Sequence, residues 1–457
     1  MSDATVGGPS TAQPDGDWRR GFILQLLIAG ISVTAIQAGR PMVTYRSLEL
    51  GATPLEIGLV VSAFSILPVL TAVAIGRWID RIGEAWFLVA AMAMIASGSL
   101  VTAFAGTLLL LAVGNAITGF GQITSLVAGQ TMIANRGPRD RREDRYGWYS
   151  TVASLGQLLG PAIAAILVGG AIASAAEIGG ILPEGADNPV APVFLFGALA
   201  GAVCVVLALM LPRRRPPRPA HVEGDAPSMG LRAATSQVLR RPGMVSAMLV
   251  SVTVISSVDV LIAYLPVYGQ AAGLSVETVA ILLSVRAGAS LISRIFMTRL
   301  IDVLGRTRLL TISMVMAGVS VAALPFITSV PVLFLLMVLI GLGLGLGQPM
   351  TIAWVANRSP RNERALALGV RLTGNRAALL IVPTIMGAIA GASGITAIWL
   401  VLAAFLGFGA NVARRAPLDD PPSRPSDPTS PVQPVAQPEP SRPGSRTGMP
   451  GEVELPA

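Results

Sequence analysis

Long apolar stretches alternate with short polar ones along most of the chain, and twelve of the apolar stretches are long enough to matter. Each can form a helix across about 30 Å of hydrocarbon. They cover residues 20–46, 55–76, 86–105, 107–130, 148–170, 190–211, 244–268, 276–297, 308–327, 331–354, 366–390 and 395–413, here called spans 1 to 12. An aqueous core cannot hide that many long apolar helices, so the pattern predicts an all-α integral membrane protein.

The polar interruptions carry a repeat. Gly76-Arg77-Trp78-Ile79-Asp80-Arg81-Ile82-Gly83 sits between spans 2 and 3, with three charges in eight residues. A degenerate copy, Thr298-Arg299-Leu300-Ile301-Asp302-Val303-Leu304-Gly305, lies 222 residues further on. The same ungapped offset pairs Gly51 with Gly273, Ser62 with Ser284, Ala134-Asn135-Arg136 with Ala356-Asn357-Arg358, Gly147 with Gly369 and Pro161 with Pro383. The chain therefore reads as two six-helix bundles in the same orientation, a parallel repeat. The expected organisation is a disordered 1–17, a first bundle over 18–211, a linker over 212–243, a second bundle over 244–415 and a disordered Pro-rich tail over 416–457.

Composition sharpens this. The chain is 53% hydrophobic and 13% charged, against about 25% charged in an ordinary soluble domain. Its formal net charge is +8, and all the basic residues are arginine. Those arginines fall at the chain ends and in every second loop. The opposite loops are almost free of them, so both termini are expected on the cytoplasmic side of the cell membrane. Their position beside the spans also argues against nucleic acid as a partner. A polar 1–17 followed by a span-length apolar run is not the pattern of a cleavable signal. The lone Cys204 lies in an apolar run and the lone His221 in a polar loop, so neither a thiol nor a histidine metal site is expected within the membrane. No nucleotide-binding loop pattern is present.

With these residues in hand, the chain resembles the major facilitator superfamily over about residues 20–413. Gly76-x-x-x-Asp80-Arg81-x-Gly83 is similar to that family's signature turn, with Asp302 and Gly305 as its weaker echo. Gly156-x-x-x-Gly160-Pro161 in span 5 is similar to a motif of its proton-coupled antiporters. The chain departs from that motif at Ala164 and Ala165, where glycines are usual. It also has Asn115 in span 4 where the antiporters tend to carry an arginine, and Glu84-Ala85 after Gly83 where basic residues are common. The resemblance implies that Asp80 latches onto the start of span 11, near 365–369, when the cavity faces outward. A helix N-terminus suits such an anion. Gly76, Arg77, Arg81, Gly83, Asp302, Gly305 and Arg371 join this latch group, with Arg77 and Arg81 equally readable as membrane-edge anchors.

Charged groups within spans are costly and mark function by default. Asp259 and Arg286 lie at similar depth and are candidates to pair, either as a proton-operated switch or as a fixed bridge. Arg40 either binds an anionic group or snorkels to the outer edge. Gln37, which the repeat places opposite Asp259, joins Asn115, Gln122, Gln157, Gln348 and Arg376 as candidate substrate or proton-path residues. Gly156, Gly160 and Pro161 are expected to bend span 5 and pack it closely. Together these features predict a secondary active transporter, working by alternating access as a functional monomer in the lipid bilayer. Its expected activity is proton-coupled export of a small organic molecule, with import of an organic anion by proton symport as the alternative. A non-transporting membrane sensor is a third reading. The proton gradient takes the place of any cofactor, and no catalytic or metal site is expected.

Overall fold

A computed structural model describes residues 15–136, 141–177, 188–212, 236, 238–359 and 364–416. Among them are thirteen α-helices and no strand. In order they are α1 (Asp15–Glu49), α2 (Pro54–Ile82), α3 (Glu84–Ala103), α4 (Leu108–Asn135), α5 (Arg142–Glu177), α6 (Ala191–Leu209), α7 (Met244–Ala271), α8 (Val276–Ile295), α9 (Met297–Leu304), α10 (Arg306–Ala323), α11 (Val330–Asn357), α12 (Arg364–Ser393) and α13 (Ile395–Arg415). Twelve of these are long and apolar enough to cross a membrane; α9 is the exception. Large side chains such as Leu70, Leu109, Ile166 and Val319 are exposed, as a lipid-facing surface requires.

The repeat recurs in the local structure. Thr53 caps α2 through a capping box with Glu56, and Pro54 opens the helix. At the matching position Ser275 caps α8 by accepting the Thr278 amide. The paired turns share a backbone that favours glycine: φ is +75° at Gly51 and +69° at Gly273, and +103° at Gly83 and +75° at Gly305. Close helix approaches also repeat. A Cβ on Gly119 of α4 would stand 1.9 Å from the Phe64 carbonyl oxygen of α2. One on Gly341 of α11 would stand 2.3 Å from the Arg286 carbonyl oxygen of α8. In each half only a missing side chain lets the two backbones meet.

The second copy of the charged turn differs in form. α8 stops at Ile295, within two residues of the expected end of span 8, and the chain continues as the short α9, which has no fully buried residue, before Gly305. In the first half α2 runs unbroken to Ile82. The two copies of the charged turn are therefore held differently.

Within the first half α3 packs on α4 and α6, and α2 on α4; within the second, α10 packs on α11 and α13, and α8 on α11. The halves meet through α2 with α12, its repeat counterpart α8 with α5, and α1 with α7. The α5–α8 contact is long. Gly169 faces the Glu277 side chain, Leu158 meets Gly288, and Arg294 donates to Ser154 Oγ at 3.0 Å. The α2–α12 contact is tight at the end of the bundle away from the chain termini. There Ser62 and Thr384 share a 2.9 Å hydrogen bond, and the Tyr264 hydroxyl of α7 donates to the Pro383 carbonyl at 2.7 Å. Most of the expected linker, 213–235 and 237, and the tail beyond 416 lie outside the described residues, as do 1–14; residues 15–17, expected to be disordered, open α1.

Candidate functional site

Between the halves lies a cavity of about 330 Å3. It extends from the level of Arg40 and Ile262 towards the face that carries the chain termini, where its wall includes Tyr149 and Arg371. The seam of Tyr264, Ser62 and Thr384 closes the opposite end. Its volume is at the lower end of the range for small-molecule pockets.

Six of the expected path residues line it: Gln37, Arg40, Gln122, Gln157, Gln348 and Arg376. They come from α1, α4, α5, α11 and α12, so both halves supply the wall. Apolar side chains, including Ile36, Phe64, Ile255, Ile262 and Leu379, fill the space between them. The Arg40 guanidinium lies over the Phe64 ring at 5.1 Å.

Asp259 is buried just behind this wall, and its carboxylate is paired with Arg40 across the two halves. One turn further along, Thr44 Oγ1 donates to the Ala263 carbonyl at 2.9 Å and fixes the same α1–α7 register. This corrects the expected Asp259–Arg286 pair. Asp259 turns from α7 towards α1, whereas Arg286 is buried on α8, with no hydrogen bond or ion pair among the described residues and an orphaned Nε. Arg286 is also absent from the cavity wall.

Three further assignments shift. Asn115 lines not this cavity but a small hollow of about 20 Å3 that shares Arg40 and Phe64 with it, and its amide donates to the Val60 carbonyl at 2.8 Å and so ties α4 to α2. Arg371, expected in the latch, belongs to the cavity wall, where Nη2 donates to Gln348 Oε1 at 2.6 Å and Thr351 Oγ1 at 3.1 Å. Glu84, which departs from the usual basic residue, pairs with Arg136 at 2.9 Å and joins α3 to the end of α4. The side chains of Gly76, Arg77, Asp80 and Arg81 lie outside the described residues. Gly83 ends α2, Gly305 ends α9, and Asp302 is exposed on α9. Phe64 and Tyr149 were not anticipated on the wall; both sit in spans where nothing distinguishes an apolar residue facing a cavity from one facing a helix.

The span-5 motif has a positioning role in this geometry. A Cβ on Gly160 would stand 2.7 Å from both Gln37 Cβ and the Thr34 carbonyl oxygen. On Gly156 it would stand 3.0 Å from the Thr34 amide. These glycines let α5 lie against the segment of α1 that presents Gln37 and Arg40. Gly160→Val should push that segment aside, cost about 1–3 kcal/mol and lower the melting temperature. A thermal melt matching that of the unaltered protein would remove this packing role.

Comparison with known proteins agrees with the architecture. A model of the Major Facilitator Superfamily matches residues 23–302 and 269–444. The protein called MdtD of Yersinia enterocolitica, whose name assigns it provisionally to multidrug resistance, is 27% identical over 148 residues. That stretch is 32% of this chain and 30% of MdtD. MdtD of Salmonella dublin is 28% identical over the same length, again 32% of this chain and 30% of the relative. Among solved structures, an inward-facing, occupied bacterial homologue of the human lysosomal transporter Spinster superposes with a TM-score of 0.70 at 15% identity, over 88% of this chain and 97% of its own. The nucleoside transporter NupG superposes with a TM-score of 0.68 at 15% identity, over 87% and 98%. At such identities these two establish likeness of fold.

Proposed function

We propose, from the premise that the chain belongs to the Major Facilitator Superfamily, that this membrane transporter exports a small organic molecule in a cycle coupled to protons. The observation that carries the coupling is the Arg40–Asp259 pair. It joins the halves beside the cavity, and a proton on Asp259 would remove the charge that holds Arg40. Protonation and the α1–α7 contact are thereby linked. Export is supported by the Gly156-Gly160-Pro161 packing against α1 and by the resistance named in the relatives. If the face carrying the termini is cytoplasmic, as the arginine distribution supports, the cavity is open inward. The Asp80 latch would then form in the other half of the cycle.

The arginines on the wall favour a second reading, symport of an organic anion. The two differ in sign. A cargo that needs ionised Asp259 competes with the proton and is exchanged for it. An anion that takes Arg40 leaves Asp259 free to bind a proton, and the two travel together. Proteoliposomes with a pH-sensitive dye inside, loaded with ethidium or with benzenesulfonate and diluted at equal pH, separate the cases. Exchange acidifies the lumen as ethidium leaves; symport makes it alkaline as benzenesulfonate leaves. Cargo flux with a steady lumenal pH would sink proton coupling altogether. Asp259→Asn should keep flux and lose its dependence on pH; a retained dependence would leave Asp259 a structural residue.

A further inference from the structure

We infer that Asp259 is a built-in counter-anion that occupies Arg40 until the anionic group of an amphipathic cargo displaces it, and that this group seats between Arg40 and Arg376. The inference rests on the transporter reading and, of the two coupling schemes, belongs with the symport of an organic anion. It starts from a charge inventory. Among the described residues lining the cavity are three guanidiniums, Arg40, Arg371 and Arg376, and no carboxylate. Behind the wall, among the described residues, are Arg286, with the partly buried Arg294 in electrostatic range of it, and one carboxylate, Asp259. The layer therefore carries a large positive excess within the membrane, where an uncompensated charge is costly.

How each arginine is held shows where the compensation is missing. Arg371 is anchored by the neutral oxygens of Gln348 and Thr351, which orient it without cancelling its charge. Arg376 is buried, faces the cavity, and has neither a hydrogen bond nor an ion pair among the described residues. It also lies within electrostatic range of Arg40 and Asp259. Arg286 is in range of Arg40 and, with no acid of its own, adds positive potential from behind. Of these four, only Arg40 has an anion, and that anion is tethered to the opposite half. A free anionic group would gain from Arg40 what Asp259 gains, and from Arg376 a donor fork that nothing else uses. Paired guanidiniums suit carboxylate, sulfonate or phosphonate oxygens alike.

The rest of the wall defines the remainder of the cargo. Phe64 lies beside Arg40, and Ile36, Ile255, Ile262 and Leu379 continue the apolar surface. Gln37, Gln122 and Gln157 supply neutral hydrogen-bonding groups on the other side. An aromatic or aliphatic body with one anionic head matches both surfaces. A cation would find only like charge among the charged side chains of the described wall, and a neutral molecule would leave Arg376 uncompensated.

The test uses three probes of nearly one shape and different charge: benzenesulfonate, benzenesulfonamide and benzamidinium. Calorimetric titration of the purified full-length protein at neutral pH should show benzenesulfonate binding about tenfold or more tightly than the other two. Arg376→Gln should weaken that binding about tenfold, and Arg376→Lys should restore part of it. Asp259→Asn should tighten binding about fivefold, because the competitor is gone while its shape remains. Benzenesulfonate should also raise the melting temperature of Asp259→Asn more than that of the unaltered protein. Undetectable benzenesulfonate binding, equal binding of the three probes, preference for benzamidinium, or weaker binding to Asp259→Asn would each overturn the inference. Binding with this pattern but no flux in proteoliposomes would instead count against the transport reading and leave the site intact.

Discussion

Arg40→Gln is expected to destabilise the protein by about 3 kcal/mol and to stop transport, whereas Arg40→Gln combined with Asp259→Asn should recover most of that stability. The single change strands a buried carboxylate. Breaking a buried pair in this way costs about 3–5 kcal/mol, and the low end applies because Arg40 borders a cavity that water can enter. The double change removes both charges together and leaves only neutral amides to satisfy. Four proteins are needed, with unfolding followed in one lipid or detergent system: the unaltered chain, each single variant and the double variant. Their cycle yields the interaction free energy of the pair directly. Strict additivity would mean that the two charges do not depend on one another, and the switch assigned to them would have no basis. Transport should remain lost in the double variant, since the cavity then lacks Arg40 on one side.

Gly387→Val is expected to reduce transport roughly five- to a hundredfold while the protein still inserts. A Cβ on Gly387 would lie 2.4 Å from the Pro54 carbonyl oxygen and 2.7 Å from the Tyr264 hydroxyl. On the facing helix, a Cβ on Gly58 would lie 2.6 Å from the Pro383 carbonyl oxygen and 2.8 Å from the same hydroxyl. Tyr264 thus sits wedged between two bare backbones and donates to Pro383. Valine at this seam requires α2 and α12 to move apart, and overpacking costs about 1–3 kcal/mol. The whole penalty falls on the arrangement in which this end is shut. Since about 1.4 kcal/mol is tenfold in population, the closed form should be depleted by roughly five- to a hundredfold. The check is labelling of Ser62→Cys in a Cys204→Ser background by a membrane-impermeant maleimide. Ser62 is buried against Thr384 in the closed seam, so Gly387→Val should speed its labelling; an unchanged rate would show that the seam absorbs the extra methyls.

Much of the architecture was legible in the sequence, because membrane helices announce themselves by length and because the 222-residue register relates one half to the other. The register reaches finer detail than motif matching. It pairs the Thr53 and Ser275 caps and the Gly119 and Gly341 contacts. What could not be read was azimuth. Position along a span gives depth, and Arg40 and Arg286 are both near the level of Asp259. Which of them meets it depends on how α1, α7 and α8 are rotated. Helices that are apolar on all sides carry no stripe from which to read that rotation. The same ambiguity hid that Asn115 also joins two helices. Arg371 reaches the cavity wall for another reason. It lies seven residues into α12, about 10 Å from the start of the helix, and the cavity wall reaches that level.

The α5–α8 contact has a mechanical consequence. From Gly169 facing Glu277 to Ser154 bonded to Arg294, it follows α8 for about 25 Å, most of the thickness of a hydrocarbon core. Two bodies joined along so long a line cannot draw apart like bellows without giving up all of it. They can, however, turn about it, with the line as the pin of a door. Leaves that swing on such a pin travel farthest where they stand farthest from it, and a small rotation there becomes a wide opening. The seam at Tyr264 is then the doorstop that fixes how far the swing goes.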